Sequence, residues 1–504
     1  MLMSLSIVYT RAQLGVDAPR VTVETHLSNG LPSLTIVGLP EMAVRESKER
    51  VRSALINSGF EFPNRRVTIN LAPADLPKQG GRYDLAIAMG ILCATGQIEV
   101  LTLHQYEFLG ELALTGELRP VSGCLPTAIA CIKDGLSLFV PYESRYEASL
   151  AGEGVIFGAR HLSEICQHLK DIQKLEPITF KAPEAHSQVL PDLCEVKGQY
   201  QARRALELAA AGRHNLLFYG PPGTGKSMLA ARLPSILPPL TQKETVEVAS
   251  IYSLSGMSRD MNTLFSAPFR APHHTASAVS LVGGGTHPKP GEISLAHRGV
   301  LFLDELPEYA RSVLEVLREP IESGEIRISR ASGTLTFPSQ FQLLAAMNPC
   351  PCGYSGHPTV PCSDTPQQIA QYRRKLSGPL LDRFDLHVEV SSQSGAVLLS
   401  NTAPAEKSSS VYQRVSLARE KQYQRQGKLN SDLKPNELEI FCSLNSEIQK
   451  LLESAMDRLA LSARAAHRIV KVARTLADLE GQDDLQLKHI TEALAYRGMD
   501  RRSA

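Results

Sequence analysis

Apolar and polar residues change period along the chain, and the changes mark its elements. Ser4–Tyr9 and Val21–Leu27 carry strand-like patterns. In Glu46–Ser58, Val51, Ala54 and Leu55 fall on one helical face and Gly59 stands just past the end, which predicts a helix. Arg66–Leu71 returns to a strand, and Asp84–Gly96 predicts an apolar helix. Residues 1–170 are therefore expected to form one α/β domain. Residues 171–190 mix proline with polar residues and read as a linker.

The pattern beyond that point is different. Asn215–Tyr219 (NLLFY), Val300–Leu303 and Phe341–Asn348 (FQLLAAMN) are apolar runs, as expected of buried strands. Val300–Leu303 in particular suits a strand covered on both faces of a parallel sheet. Ser227–Leu233 reads as a helix between them. These elements place a core over residues 191–390. Residues 391–410, rich in Ser and Ala, read as a loop. Residues 411–430 read as a basic helix carrying Arg414, Arg419, Lys421, Arg425 and Lys428. Residues 431–504 are helical by pattern, including Ser443–Leu459 and Ala463–Leu479. No internal repeat is evident.

Composition narrows the class. The chain has 504 residues, 43% hydrophobic and 21% charged, as in a soluble multidomain protein. Its net charge of +1 confines any nucleic-acid site to a local patch. No run of about 18 apolar residues predicts a membrane span. The N-terminus reads as a first strand, not a signal peptide. Nine cysteines, an odd number, suit reduced thiols in the cytoplasm.

Gly220-Pro221-Pro222-Gly223-Thr224-Gly225-Lys226-Ser227 fits the phosphate-binding pattern G-x-x-x-x-G-K-[ST], between an expected strand and an expected helix. Glycines let backbone N–H groups turn toward phosphate oxygens, and the helix that follows adds the positive end of its dipole. Lys226 can reach the β/γ-phosphates of ATP, and the Ser227 hydroxyl can ligate Mg2+. Asp304 and Glu305 end the apolar run at Val300–Leu303, where carboxylates face the ligand crevice of an open α/β sheet. Asp304 would hold Mg2+ through water, and Glu305 would polarise the attacking water. Asn348, ending another such strand, can position that water or sense the γ-phosphate.

Two sets of arginines admit two readings each from spacing. Arg383 follows an apolar turn and is either an arginine finger for a neighbouring subunit's nucleotide or a surface residue paired with Asp382 or Asp385. Arg464, Arg468 and Lys471 share one helical face, which is either a nucleotide-facing lid surface or a solvated basic stripe.

With these residues assembled, the chain resembles the AAA+ ATPases of the magnesium-chelatase-like family, and within it the competence-associated members. Ala271–Gly285, Pro288–Glu305, Leu314–Arg327, Asn348–Gly353, Ser377–His387 and Leu461–Leu476 carry the resemblance. It implies an AAA+ P-loop core with a helical lid, in a ring that is usually a hexamer with ATP between subunits. It assigns Lys226 and Ser227 to Walker A, Asp304 and Glu305 to Walker B, Asn348 to sensor 1, Arg383 to the arginine finger and Arg464 to sensor 2. It further implies pore-facing inserts over residues 266–285 and 322–341, with Arg270, Lys289, Arg327 and Arg330 in or near them, able to touch phosphates.

The front domain resembles the proteolytic domain of Lon proteases over Asp75–Gly90 and Leu109–Leu125. Tyr83 and Asp84 stand around the position of the catalytic serine and Pro126 around that of the lysine, and Lys78 is no substitute. A Ser–Lys dyad needs a hydroxyl and an amine in reach, so a Lon-like fold without peptidase activity is expected. In the loop 350–364, Cys350, Cys352 and Cys362 with His357 would suit tetrahedral Zn2+, with Asp364 as a rival fourth ligand; the plain alternative is free thiols.

The function expected from the whole is a hexameric DNA motor acting on single-stranded or branched DNA in homologous recombination during natural transformation, alongside a recombinase. The alternative is a remodelling ATPase acting on a protein or a metal-chelatase complex. An ATP-gated scaffold and a Lon-type protease stand behind these two.

Overall fold

The computed structural model describes residues 5–180, 190–285, 288–330, 333–393 and 405–499. Two separate sheets organise them. The first holds β1 (Leu5–Arg11), β2 (Arg20–Ser28), β3 (Ser33–Val37), β4 (Arg66–Ala72), β5 (Tyr106–Phe108), β6 (Ser137–Pro141) and β7 (Ile156–Ala159), in the order β3-β4-β2-β1-β5-β6-β7. β1, β2 and β4 pair antiparallel and bury alternate residues, so one face meets the core and the other is partly open. Helix α1 (Met42–Asn57) starts ahead of the expected Glu46 because Val44 extends its buried face. Helix α2 (Asp84–Ala94) is buried along its whole length, which explains why it is apolar all round. Residues 171–180 contain no helix or strand, yet the Ile178 N–H bonds to the Ile156 carbonyl at 2.8 Å, so this stretch follows the sheet edge. Residues 181–189 of the expected linker lie outside the described residues.

The second sheet is parallel throughout and positions the site. It contains β8 (Leu216–Tyr219), β9 (Phe269–Arg270), β10 (Val300–Leu303), β13 (Gln342–Met347) and β14 (Leu386–Glu389), in the order β9-β10-β13-β8-β14. Between β10 and β13 in the chain an antiparallel hairpin, β11 (Glu325–Arg330) and β12 (Gly333–Pro338), pairs only with itself and packs Ile326, Ile328 and Phe337 into an apolar cluster with the sheet. Leu216, Phe218, Val300, Phe302, Leu344 and Ala346 enter one apolar cluster. Their neighbours Leu217, Tyr219, Leu301, Leu303, Leu343 and Ala345 enter another. Burial on both faces is why these strands are apolar runs rather than alternations.

Helix α3 (Tyr200–Gly212) packs on the first of those faces. Helix α4 (Lys226–Ala230) is shorter than the expected 227–233. Pro234 cannot donate an N–H and disfavours helical backbone before it, so the chain passes into a 3-10 turn at Leu233–Ile236. Helix α5 (Gln242–Leu254) opens with a capping box between Thr241 and Glu244.

The C-terminal helices α6 (Ser408–Gln426), α7 (Ser446–Leu459), α8 (Ala463–Leu479) and α9 (Leu487–Ala495) share the first cluster through Val411, Val415, Ile448, Ile469, Ala473, Leu476 and Ile490. Polar ties fix the join. Asp385 accepts from the Asn215 N–H at 2.8 Å and from Arg468 at 2.9 Å. The buried His214 meets Thr475 Oγ1 at 2.7 Å. Residues 394–404 of the expected loop lie outside the described residues.

The expected basic helix forms as α6, and its cations find partners within the fold. Arg414 bonds to Glu207 at 2.5 Å and to Glu406, and Arg425 to Asp478 at 2.6 Å. Lys428, just past α6, pairs with Glu437 at 2.6 Å, Lys421 donates to the Gly481 carbonyl, and the half-buried Arg419 guanidinium donates to the Ala210 carbonyl. α6 commits its cations to holding the fold, so it is not a free surface for phosphates.

Candidate nucleotide site

β8, β10 and β13 end together because they are parallel and in register: Tyr219 lies opposite Met347, and Leu303 opposite Ala345. The Gly220–Ser227 loop, Asp304 and Asn348 therefore emerge at one sheet edge. A Cβ on Gly220 would stand 2.2 Å from the Val390 carbonyl oxygen, so only glycine lets the loop leave β8 here. Gly225, at φ +89°, makes the left-handed turn into α4.

Lys226 closes the loop. Its Nζ donates to the Gly220 carbonyl at 2.8 Å, the Pro221 carbonyl at 2.7 Å and Asn348 Oδ1 at 3.1 Å. Burial pulls its ammonium down to about 8, against the pull of Asp304 and Glu305. Ser227 Oγ donates to Asp304 Oδ2 at 2.5 Å, so a hydroxyl and a carboxylate oxygen face each other beside the loop. That hard-oxygen pair fits Mg2+. Asp304 Oδ1 accepts the Glu305 N–H at 2.9 Å. Glu305 adopts φ +50°, uncommon for a residue with a Cβ, and its carboxylate lies 3.1 Å from His274 Nδ1. Sequence reasoning missed His274; its only signal was the His273-His274 pair inside one of the family-like stretches.

Arg383 and Arg464 are not brought to this loop. Arg383 is buried and donates to the Arg318 and Pro379 carbonyls at 3.2 and 2.5 Å, and it pairs with Glu322 at 2.7 Å. Neither Asp382 nor Asp385, its expected surface partners, holds it. Arg464, mostly exposed, also reaches Glu322, at 3.7 Å. The two arginines thus meet at a carboxylate that sequence reasoning did not single out. The basic-stripe reading of Arg464, Arg468 and Lys471 dissolves, since Arg468 binds Asp385 and Lys471 donates to the Ser431 carbonyl at 2.9 Å.

Comparison with known proteins adds the family. Residues 192–398 match the family described as magnesium chelatase, subunit ChlI. Residues 23–144 match subunit ChlI of Mg-chelatase, and residues 405–497 match the C-terminal part of that subunit. The chain is 51% identical to competence protein ComM of Haemophilus influenzae over 504 residues, 99% of this chain and 98% of that protein. It is 50% identical to the uncharacterized protein YifB of Salmonella typhimurium over 503 residues, again 99% and 98%. A magnesium-chelatase 67 kDa subunit of Heliobacterium mobile is 29% identical over 194 residues, 33% of this chain and 29% of that one. The chain belongs to the magnesium-chelatase-like family of YifB and ComM proteins.

Within this family member, the loop after Asn348 gathers sulfur. Cys350, Cys352, Cys362 and Asp364 offer ligand atoms that all lie within 4.8 Å of one another. His357 does not join them. Its Nδ1 accepts the backbone N–H groups of Thr359 and Val360 at 3.2 and 3.0 Å, which turns the ring to its own loop. Of the two residues that spacing offered as fourth partner, Asp364 lies with the sulfurs and His357 does not.

The cations of the expected inserts differ in freedom. Arg270 is engaged by Glu292 in two bonds of 2.7 Å. Lys289 is exposed on a short hairpin, and Arg327 on β11 is 67% exposed with only a 3.6 Å contact to Glu325. The Arg330 side chain lies outside the described residues.

Beside the front sheet, at the start of α2, Tyr83 is fully buried, and Asp84 accepts from Arg50 at 2.8 Å, from Ser47 and from the Leu112 N–H at 3.3 Å. Lys78, also fully buried, donates to the Pro73 carbonyl. A cavity of about 510 Å3 opens beside Gln79, Arg82 and Tyr83, and is bounded on its far side by Leu335 and Phe337 of the hairpin. No helix among the described residues is long and apolar enough to cross a membrane.

Proposed function

We propose that this chain is an AAA+ ATPase that works as a hexameric motor on DNA, migrating branches during homologous recombination in natural transformation. One observation carries the ATPase half: Lys226, Ser227, Asp304, Glu305 and Asn348 converge at one sheet edge. ATP would place its β/γ-phosphates on Lys226 and the loop N–H groups, displacing the carbonyls that now hold the ammonium. Mg2+ would sit at Ser227 and Asp304. Glu305, once turned from His274, would accept a proton from the attacking water.

The meeting of Arg383 and Arg464 at Glu322 supports a shared role for them. Both would serve the nucleotide of a neighbouring copy, with Glu322 exchanging them for phosphate on assembly, Arg383 as finger and Arg464 as sensor. The helices 431–504 act as the lid. The front region is a Lon-like fold without a dyad: Asp84 is locked by Arg50, Lys78 by a carbonyl, and Pro126 offers no amine. Its cavity beside the hairpin suits binding or assembly rather than proteolysis. The name of the ComM relative supports the competence role, and exposed Lys289 and Arg327 are the insert cations left to meet DNA phosphates. The cysteine loop would hold Zn2+, and a recombinase is the expected companion in the cytoplasm.

The test is a branch-migration and forked-duplex assay with wild type, Lys226→Ala and Glu305→Gln. Wild-type activity with loss in both variants is expected. Hydrolysis unstimulated by single-stranded or branched DNA, with no DNA binding at low salt, sinks the motor. The likeness of three segments to subunit ChlI favours a second reading, a remodelling ATPase on a chelatase-type complex. Copurification with a porphyrin-binding partner would promote it.

A further inference from the structure

The loop 350–364 leaves β13 immediately after Asn348, whose amide oxygen holds Lys226. Its three sulfurs lie 3.4, 3.5 and 3.7 Å apart. A disulfide needs about 2.05 Å. A tetrahedron with Zn–S bonds of about 2.3 Å spaces its sulfurs about 3.8 Å apart. The observed triangle is close to a face of that tetrahedron. The Asp364 carboxylate stands at the remaining corner: Oδ2 lies 3.9 Å from Cys362 Sγ and accepts the Cys352 N–H at 2.8 Å. Such an outer bond orients a ligating carboxylate. The Ser355 N–H donates to Cys350 Sγ at 3.3 Å, the kind of bond that supports a thiolate.

The cluster also touches the phosphate loop from a second side. Gly353, beside Cys352, packs so closely on Pro222 that a Cβ there would lie 2.6 Å from Pro222 Cδ. One ligand is thus two residues from Asn348, and another is next to the residue lying on the phosphate loop.

We propose that Cys350, Cys352, Cys362 and Asp364 form a Zn2+ site that braces Asn348 and the phosphate loop against each other. Binding releases the thiol protons to solvent and leaves three thiolates and a carboxylate on the ion. Without the ion the thiols repack, and both Asn348 and Pro222 lose their common support. The bracing half rests on the ATPase reading above; the metal half does not.

The experiment uses the full chain. Zinc per chain is counted by mass spectrometry, and the Kd of a non-hydrolysable ATP analogue is measured before zinc extraction, after it, and after Zn2+ is restored. About one zinc per chain is expected, with nucleotide affinity falling roughly tenfold on extraction and recovering on return. The double variant C352S/C362S should carry none, D364C should keep the ion, and D364A should hold it weakly. Gly353→Ala separates the two halves: the ligands stay, the contact with Pro222 is strained, and zinc should remain while nucleotide binding weakens. Zinc far below one per chain in zinc-supplied cells overturns the metal site. Zinc bound, with nucleotide affinity indifferent to its removal, overturns the bracing. A zinc-loaded chain that binds no nucleotide overturns the ATPase reading and the bracing with it, while upholding the metal site.

Discussion

A buried lysine lies beside each of the two sheets, Lys78 in the loop after β4 and Lys226 at the start of α4, and burial lowers the ammonium of both. Lys78 ends on the Pro73 carbonyl, away from any glycine-rich loop. Lys226 ends on two loop carbonyls and an amide oxygen, three neutral acceptors that a phosphate can displace, with Asp304 and Glu305 close enough to act on it electrostatically. The carboxylates follow the same division. Asp84 is closed by Arg50 and Ser47, whereas Asp304 and Glu305 stand at an open edge with a hydroxyl and an imidazole as their partners. A buried carboxylate closed by a guanidinium and a hydroxyl, as Asp84 is, holds structure. An ion held by weak, exchangeable partners is poised for a ligand.

Removing each lysine in turn tests that division most severely. Lys226→Ala should cut ATP turnover on the order of a thousandfold, because it deletes a preorganised charge at the phosphates. Lys78→Met should leave turnover within about twofold, since the change lies beside the other sheet and shares no partner with the loop. Steady-state ATPase rates of the two variants decide it. Comparable losses in both would end the distinction.

Stability provides the next test, at the joint between helices and sheet. Burial alone would raise the Asp385 carboxyl, but Arg468, His214 and the Asn215 N–H together hold it below the usual carboxylate range. Asp385→Asn leaves Arg468 unpaired and should cost about 3 kcal/mol in urea unfolding. A depressed folded pKa means this stabilisation is present above about pH 4 and is lost as pH falls further. The variant should therefore lose the steepest part of the acid limb that the wild type shows.

Much of the second sheet was legible in the sequence, because strands buried on both faces must be apolar throughout. The runs at 216–219, 300–303 and 342–347 are short, continuous and bounded by chemistry. The phosphate loop was legible for a related reason: its glycine spacing is dictated by backbone geometry. What stayed hidden is pairing across long separations. Nothing local tells that Arg383 and Arg464 meet at Glu322, or that Arg414 reaches back to Glu207. Spacing offered His357 and Asp364 equally as ligands, and only the turn of the loop onto His357 Nδ1 separates them. A row of cations on a helix reads as a nucleic-acid surface until each finds its acceptor inside the fold.

The open lysine also predicts a pH dependence that the closed one does not. In the empty loop, the Lys226 ammonium loses its proton near pH 8. Bound phosphates favour the charged form and raise that value. Nucleotide affinity should therefore be full below about pH 8 and weaken as pH rises through it, approaching tenfold per unit. Binding at pH 8.5 should take up a proton, visible in calorimetry as a heat that varies with the buffer. An affinity flat between pH 7 and 9.5 would mean that Lys226 stays charged in the empty loop.

The same contrast between committed and uncommitted charge applies, with a smaller effect, to the proposed DNA surface. Arg414 and Lys421 are engaged within the fold, while Arg327 is exposed on its hairpin with one 3.6 Å contact and Lys289 is exposed at the mouth of the front cavity. Removing an uncommitted cation should weaken DNA binding by a few-fold and reduce the salt slope by about 1, the release of one condensed counterion. Lys421→Gln should leave both quantities where they were. Arg327→Gln and Lys289→Gln should each lower affinity, and the double variant should lower it by about the product, as two cations meeting different phosphates do. Fluorescence anisotropy with a labelled single strand at two salt concentrations reads affinity and slope together. A slope that falls for Lys421→Gln and not for Arg327→Gln would place the DNA on α6, and would require that helix to release the Gly481 carbonyl when DNA arrives.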